Sequence, residues 1–131
     1  KQGGDELVVA SGGAITVEAG GIAPVCGITA YTTSGSIPVA GISSIAGGAV
    51  RVYKLPAPTS TYTGYRKTVY CLSSSGVVTL TCTAGTINLS KSTITFGAAA
   101  DGVTIDLLAT STANWSIVGY STAWTTTVKC S

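Results

Sequence analysis

Histidine and methionine are absent from this 131-residue sequence, and charged residues make up only 9% of it. The missing His removes the usual general base near neutral pH, the usual partner of a nucleophilic Ser or Cys, and the commonest metal ligand. Carboxylates are equally scarce. Asp101 and Asp106 are the only two beyond Glu18, and five positions apart on an extended run they fall on opposite faces and cannot work as an acid–base pair. Glycoside hydrolysis therefore has no support. A calcium loop needs several spaced oxygens, and Asp5, Glu6 and Glu18 do not supply them. The net charge is +2 from dispersed residues, and nowhere do four basic residues run together, which excludes a nucleic-acid or membrane field. No window reaches the roughly 18 uninterrupted apolar residues of a spanning helix. No charged stretch followed by an apolar run opens the chain, so no signal peptide is expected.

What is abundant is small and β-favouring. There are 21 Thr, 15 Ser and 17 Gly. Val, Ile and Thr together make 44 residues, whereas Leu, Met, Glu, Lys, Gln and Arg make 17. The second set loses little entropy in a helix and the first packs well on a pleated surface, so a helical bundle is excluded and an all-β chain expected. The length suits one domain with a short arm, and the 45% hydrophobic content suits a globular core.

Cys26, Cys71, Cys82 and Cys130 contain no CxxC pair of the kind zinc and redox sites use, so neither a metal nor another cofactor is expected. Four cysteines allow three disulfide pairings, or four buried thiols. Cys71 and Cys82 sit on alternating apolar runs where a small hydrophobe fits unbridged, which places buried thiols slightly ahead.

Along the chain, Gly pairs at Gly3-Gly4, Gly12-Gly13 and Gly20-Gly21 separate the short runs Leu7 to Ala10 and Ala14 to Ala19. Ile15 and Val17 alternate there with Thr16 and Glu18. Such a segment reads as a Gly-rich extended arm, ordered against a partner surface or against copies of itself. Residues 22–49, with Pro24 and Pro38, read as loops with short strands. From residue 50 strict alternation sets in, with turn signals every eight to twelve residues, as in a sandwich or small barrel. Arg51 to Leu55 ends at Pro56, Lys67 to Leu72 at Ser73-Ser74-Ser75-Gly76, and Val77 to Thr83 at Ala84-Gly85; the first of these turns suggests a hairpin. Thr86 to Leu89, Thr93 to Phe96, Val103 to Leu108 and Trp115 to Tyr120 follow. The expected core is Val78, Leu80 and Cys82; Ile87 and Leu89; Ile94 and Phe96; Val103, Ile105 and Leu107; Trp115 and Ile117. The fold expectation is a compact β-sandwich or jelly-roll-like domain over 50–131, preceded by an arm and irregular short-strand region over 1–49.

Certain stretches carry a resemblance. They are Tyr53-Lys54-Leu55-Pro56-Ala57-Pro58, Gly64 with Lys67 to Tyr70, Gly85-Thr86-Ile87-Asn88-Leu89, Asp101-Gly102-Val103-Thr104-Ile105, and Asn114-Trp115-Ser116-Ile117-Val118. Their succession resembles the β-rich domains of tailed-bacteriophage virion proteins, notably capsid decoration (cement) proteins and head-fibre or tail-fibre modules. It covers about residues 50 to 120. The cysteines are not part of that pattern. The resemblance implies a non-enzymatic trimer on the outside of an icosahedral head, assembled in the host cytoplasm, with the major capsid protein and itself as partners and neither nucleic acid nor membrane.

On this reading Leu7, Val8, Val9, Ile15 and Val17 contact the shell, as apolar residues of an arm without its own core. Trp115, Trp124 and Tyr120 are candidates for an oligomer interface. Arg51, Lys54, Tyr65, Arg66 and Lys67, in the most basic and Tyr-rich stretch, are candidates for contact with an acidic partner or a glycan. The rival readings are a fibre or spike domain that binds host glycans, and a secreted bacterial surface or pilus subunit whose cysteines are paired.

Overall fold

The computed structural model of the chain describes residues 27–98, 100–121 and 128–131. Eleven strands run through them: β1 (Ile28–Tyr31), β2 (Gly35–Ser36), β3 (Gly41–Gly47), β4 (Arg51–Pro56), β5 (Arg66–Ser74), β6 (Val78–Thr83), β7 (Thr86–Ile87), β8 (Thr93–Phe96), β9 (Thr104–Ser111), β10 (Asn114–Tyr120) and β11 (Val128–Cys130). A single 3-10 turn, Ser60–Tyr62, is the only helical element among the described residues. The all-β expectation holds, and two sheets form the sandwich. One has the order β1-β3-β5-β9-β10-β7, the other β11-β8-β6-β4-β2.

The path between the sheets is distinctive. From β1 to β6 the chain alternates sheets at every strand, so that β1, β3 and β5 stack in parallel in one sheet while β2, β4 and β6 stack in parallel in the other. This is coiling, with the Gly-, Pro- and Ser-rich connections forming the corners. None of the three breaks at Pro56, Ser73 to Gly76 or Ala84-Gly85 makes a hairpin; each carries the chain from one sheet to the other. The hairpin lies later, where antiparallel β9 and β10 are joined through Thr112-Ala113. Residues 27–49, set apart from the domain in the sequence, supply β1, β2 and β3 of these same two sheets.

Period-two alternation places the core. β6 buries Val78, Leu80 and Cys82 and turns its threonines outward; β9 buries Ile105, Leu107 and Ala109. Ile37, Ile45, Tyr53, Leu55, Val69, Cys71, Ile87, Ile94, Phe96, Ala100, Val103 and Trp115 complete the cluster, with Tyr31, Val39, Ile117 and Cys130 packed against it. Each large side chain so buried contributes roughly 1.5–3 kcal/mol. Leu89, expected in this core, is 79% exposed. The strand stops at Ile87, and Asn88 and Leu89 take φ of 48° and 69° in the left-handed region. Asparagine side chains hold that turn: Leu89 N–H donates to Asn114 Oδ1 at 2.8 Å, and Ile117 N–H donates to Asn88 Oδ1 at 2.9 Å. Side-chain acceptors thus take over where a backbone ladder would have run.

Two buried aromatics tie the layers together through hydrogen bonds. The Tyr53 hydroxyl, from β4, lies 2.6 Å from the Ala46 carbonyl oxygen and 2.9 Å from that of Tyr31, both in the opposite sheet. Trp115 Nε1–H, from β10, donates across the core to the Pro56 carbonyl oxygen at 3.1 Å. A buried Trp or Tyr needs such a partner for its polar end.

Candidate functional site

β5 opens with Arg66-Lys67-Thr68-Val69, and strand parity sends Arg66 and Thr68 outward while Lys67 and Val69 enter the core. Lys67 is 0% exposed. Its Nζ donates to Ser43 Oγ at 2.6 Å and to the Ala40 carbonyl oxygen at 3.4 Å. Asp106 points the other way, accepting a 2.6 Å hydrogen bond from Thr68 Oγ1 on the outer face. With neutral partners, burial alone acts on the ammonium and pushes its pKa down to about 8. The Lys67–Ser43 contact has the geometry of a base-activated serine. Ser43 is also 0% exposed, however, and no cavity opens onto it among the described residues. A substrate has no route to the pair, which functions as a buried polar link between β3 and β5. Parity was the signal for it: Lys67 stands two and four positions before Val69 and Cys71.

This burial corrects one expectation, because Lys67 offers nothing to an acidic partner or glycan. Its companions are also dispersed. Arg51 and Lys54 belong to β4, in the sheet opposite β5. Lys54 is exposed, whereas Arg51 is half-buried and its Nε is enclosed without a hydrogen-bond partner. Tyr65 and Arg66 remain together and exposed where β5 begins. The Tyr65 ring meets that of Tyr62 edge to face, centroids 5.4 Å apart. Backbone hydrogen bonds from Gly64 N–H to the Ala109 carbonyl oxygen (2.8 Å) and from Ala109 N–H to that of Tyr65 (3.0 Å) fasten this loop to β9.

Trp115 is corrected too. At 0% exposure with its indole N–H committed to Pro56, it fills the chain's own core and has no surface for a second copy. Tyr120 is 57% exposed near Val118, which is 45% exposed. The sequence did not single out a second apolar patch. Val50, Val52 and Val77 are 72%, 40% and 40% exposed, and the pairing of Arg51 with Val78 brings them side by side where β4 and β6 begin. Alternation against buried Tyr53 and Val78 was the legible signal, since it sends Val50, Val52 and Val77 outward.

Cys82 and Cys130 are free thiols, and burial raises the pKa of both; for Cys130 the nearby Lys91 charge partly offsets it. Among the described residues no three His, Cys, Asp or Glu side chains gather to hold a metal ion, and no helix is long and apolar enough to cross a membrane. Leu7, Val8, Val9, Ile15, Val17, Trp124 and Cys26 lie outside the described residues. Comparison with known proteins adds no assignment, since no protein-family model and no curated protein matches this sequence.

Proposed function

We propose that the chain is a structural protein of a tailed-phage virion that binds the outer surface of the icosahedral head and cements the junctions between capsomers. The observation that carries the reading is where large apolar side chains meet solvent. Val50, Val52 and Val77, at the start of β4 and β6 in one sheet, and Val118 and Tyr120 on β10 in the other, are exposed, and no pocket opens among the described residues. Exposed apolar side chains without a pocket suit contact with another protein surface rather than enclosure of a small molecule. The order of motifs over residues 50 to 120 supports the same reading. Capsid protein and further copies of this chain, as a trimer, are the proposed partners, with Tyr120 at the interface between copies. The arm's apolar residues, Leu7, Val8 and Val9 first among them, dock on the shell. Repetition over a shell lets a modest affinity per copy accumulate.

The test is co-sedimentation of the purified full chain with mature heads of its cognate phage. Saturable binding at a fixed ratio to capsid protein, with heads that disrupt at higher temperature, is the expected result. Heads that sediment without the chain at micromolar concentration refute it. Exposed Tyr65, its ring against half-buried Tyr62 and beside exposed Arg66, favours a second reading, a fibre domain that binds host glycans, and specific capture on a glycan array is the result that establishes it. The free thiols of Cys82 and Cys130 weigh against a secreted subunit built on paired cysteines.

A further inference from the structure

At one end of the sandwich the chain turns twice from sheet to sheet, between β3 and β4 at 48–50 and between β5 and β6 at 75–77. Glycines let the two corners lie against each other. A Cβ on Gly76 would stand 2.7 Å from the Ala49 carbonyl carbon, and one on Gly47 would stand 2.6 Å from Val78 Cγ2. The Ser75 hydroxyl donates to the Gly47 carbonyl oxygen at 3.3 Å, and Arg51 N–H donates to that of Val77 at 3.1 Å. These contacts make the paired corners one built surface, on which Val50 and Val77 are 72% and 40% exposed.

Arg51 is the one charged residue in stretches 47–52 and 75–79. It stands in the inward row of buried Tyr53 and Leu55 and pairs with buried Val78, which directs its side chain toward the gap between the sheets. Its stem lies over Gly47, where an added Cβ would come within 3.4 Å of Cγ. Nε is enclosed and has no hydrogen-bond partner. The two Nη atoms have no partner among the described residues either and, unlike Nε, they reach solvent. A guanidinium held at the mouth of the sandwich with none of its side-chain donors engaged is a strong donor set that lacks an acceptor.

We propose that the paired corners dock a segment of another protein that carries a carboxylate between apolar side chains, with the carboxylate on the Arg51 Nη atoms and the apolar groups on Val50 and Val77. Charge selects this occupant. A single cation matches a single carboxylate, whereas a nucleic acid is held by several cations along its phosphates. The ring of this row, Tyr53, is 0% exposed, so a sugar finds no face to stack on. Apolar contact keeps water from the pair, and a shielded ion pair is worth more than one in open solvent. The inference rests on the reading that the exposed valines meet another protein, but not on that protein being a capsid subunit.

Nitrogen-15 NMR of the full chain, titrated with the end-blocked tripeptide Val-Asp-Val, tests it. Saturable shifts of the Arg51 Nε–H and of the Val50 and Val77 amides are expected, with a dissociation constant of about 1–10 mM. The Val-Asn-Val peptide and acetate should each bind at least about fivefold more weakly, because each lacks one half of the match. Arg51→Met abolishes the shifts, while Lys54→Met, with the same loss of charge, preserves them. Should Arg51→Met fail to fold, Val50→Asp at an exposed position sets the chain's own carboxylate beside the guanidinium and weakens peptide binding at least about fivefold. Equal binding of the Asp and Asn peptides overturns the proposal, as do acetate binding as tight as the peptide's, shifts centred on Arg66, and the absence of a saturable shift. So do shifts in the peptide-free chain that grow with its concentration, which would assign the corners to a second copy. Phage heads that bind Arg51→Met and Val50→Asp as tightly as wild type also overturn this site, while leaving the virion reading intact.

Discussion

Lys67 makes the stability of this fold depend on pH in a direction that can be worked out. Burial lowers its pKa from 10.5 to about 8 in the folded chain. Between those two values the unfolded chain binds the proton and the folded chain does not, so stability rises with pH across that window. Below about pH 8 both states carry the charge and the desolvation cost is present in full. A shift of this size corresponds to at most about 3 kcal/mol. The thiols act in the opposite sense. Burial raises the Cys82 and Cys130 pKa values, so the unfolded chain loses those protons first, and they remove stability as pH rises past 9. A single pH profile mixes both effects, whereas the difference between wild type and the near-isosteric Lys67→Met isolates the lysine. Ser43 Oγ loses its 2.6 Å partner in that variant, so Ser43→Ala/Lys67→Met is the cleaner comparison. Urea unfolding from pH 7 to 10.5 is the assay. With a slope of roughly 1.5 kcal/mol per molar urea, the midpoint of wild type relative to the double variant should climb by about 2 M across the range. A difference that stays flat within about 0.2 M refutes the argument that a lone buried ammonium limits stability here.

Three further outcomes follow from the packing. Tyr53→Phe keeps the ring but leaves the Ala46 and Tyr31 carbonyls without the hydroxyl that bridges the sheets, and should cost about 1–2 kcal/mol by urea unfolding. Gly85→Ala places a methyl 2.7 Å from the Ala113 carbonyl oxygen and 2.9 Å from Ala57 Cβ; a loss of about 1–3 kcal/mol in the same assay is expected, because backbone must move. Cys82 is 5% exposed, so its reaction with an aromatic disulfide reagent should follow the rate of unfolding at pH 8. Labelling within seconds of mixing in the native state contradicts that.

The strands of the second half were legible in the sequence because each alternates under one rule. Val78, Leu80 and Cys82, or Val103, Ile105 and Leu107, declare a buried face without knowledge of their neighbours. Which strand lies beside which is a long-range property, and the Ser- and Gly-rich breaks look alike whether they close a hairpin or cross to the opposite sheet. That is why the breaks at Pro56 and at Ser73 to Gly76 could be located in the sequence while the layers of β4, β5 and β6 could not. Leu89 escaped because its placement is decided by Asn114, 25 residues away. Lys67 illustrates a different limit: residue type argued for the surface and parity for the interior, and parity prevailed because Ser43 and the Ala40 carbonyl stand ready as acceptors. The valine patch follows the same alternation, but only the pairing of β4 with β6 gathers it at one place.

The alternation of sheets also determines the order in which the chain can complete itself. Among the described residues only β9 and β10 pair with an immediate neighbour in sequence; every other pairing joins strands separated by at least one intervening element. Such a topology has a high contact order, and folding on the scale of milliseconds to seconds is expected rather than microseconds. On a ribosome the coils β1 to β6 emerge first, with the far edges of β5 and β6 unsealed until β9 and β8 are made. For that interval the nascent chain offers two adjacent strand edges to any other extended segment nearby, and timely release of the C-terminal third is what closes them.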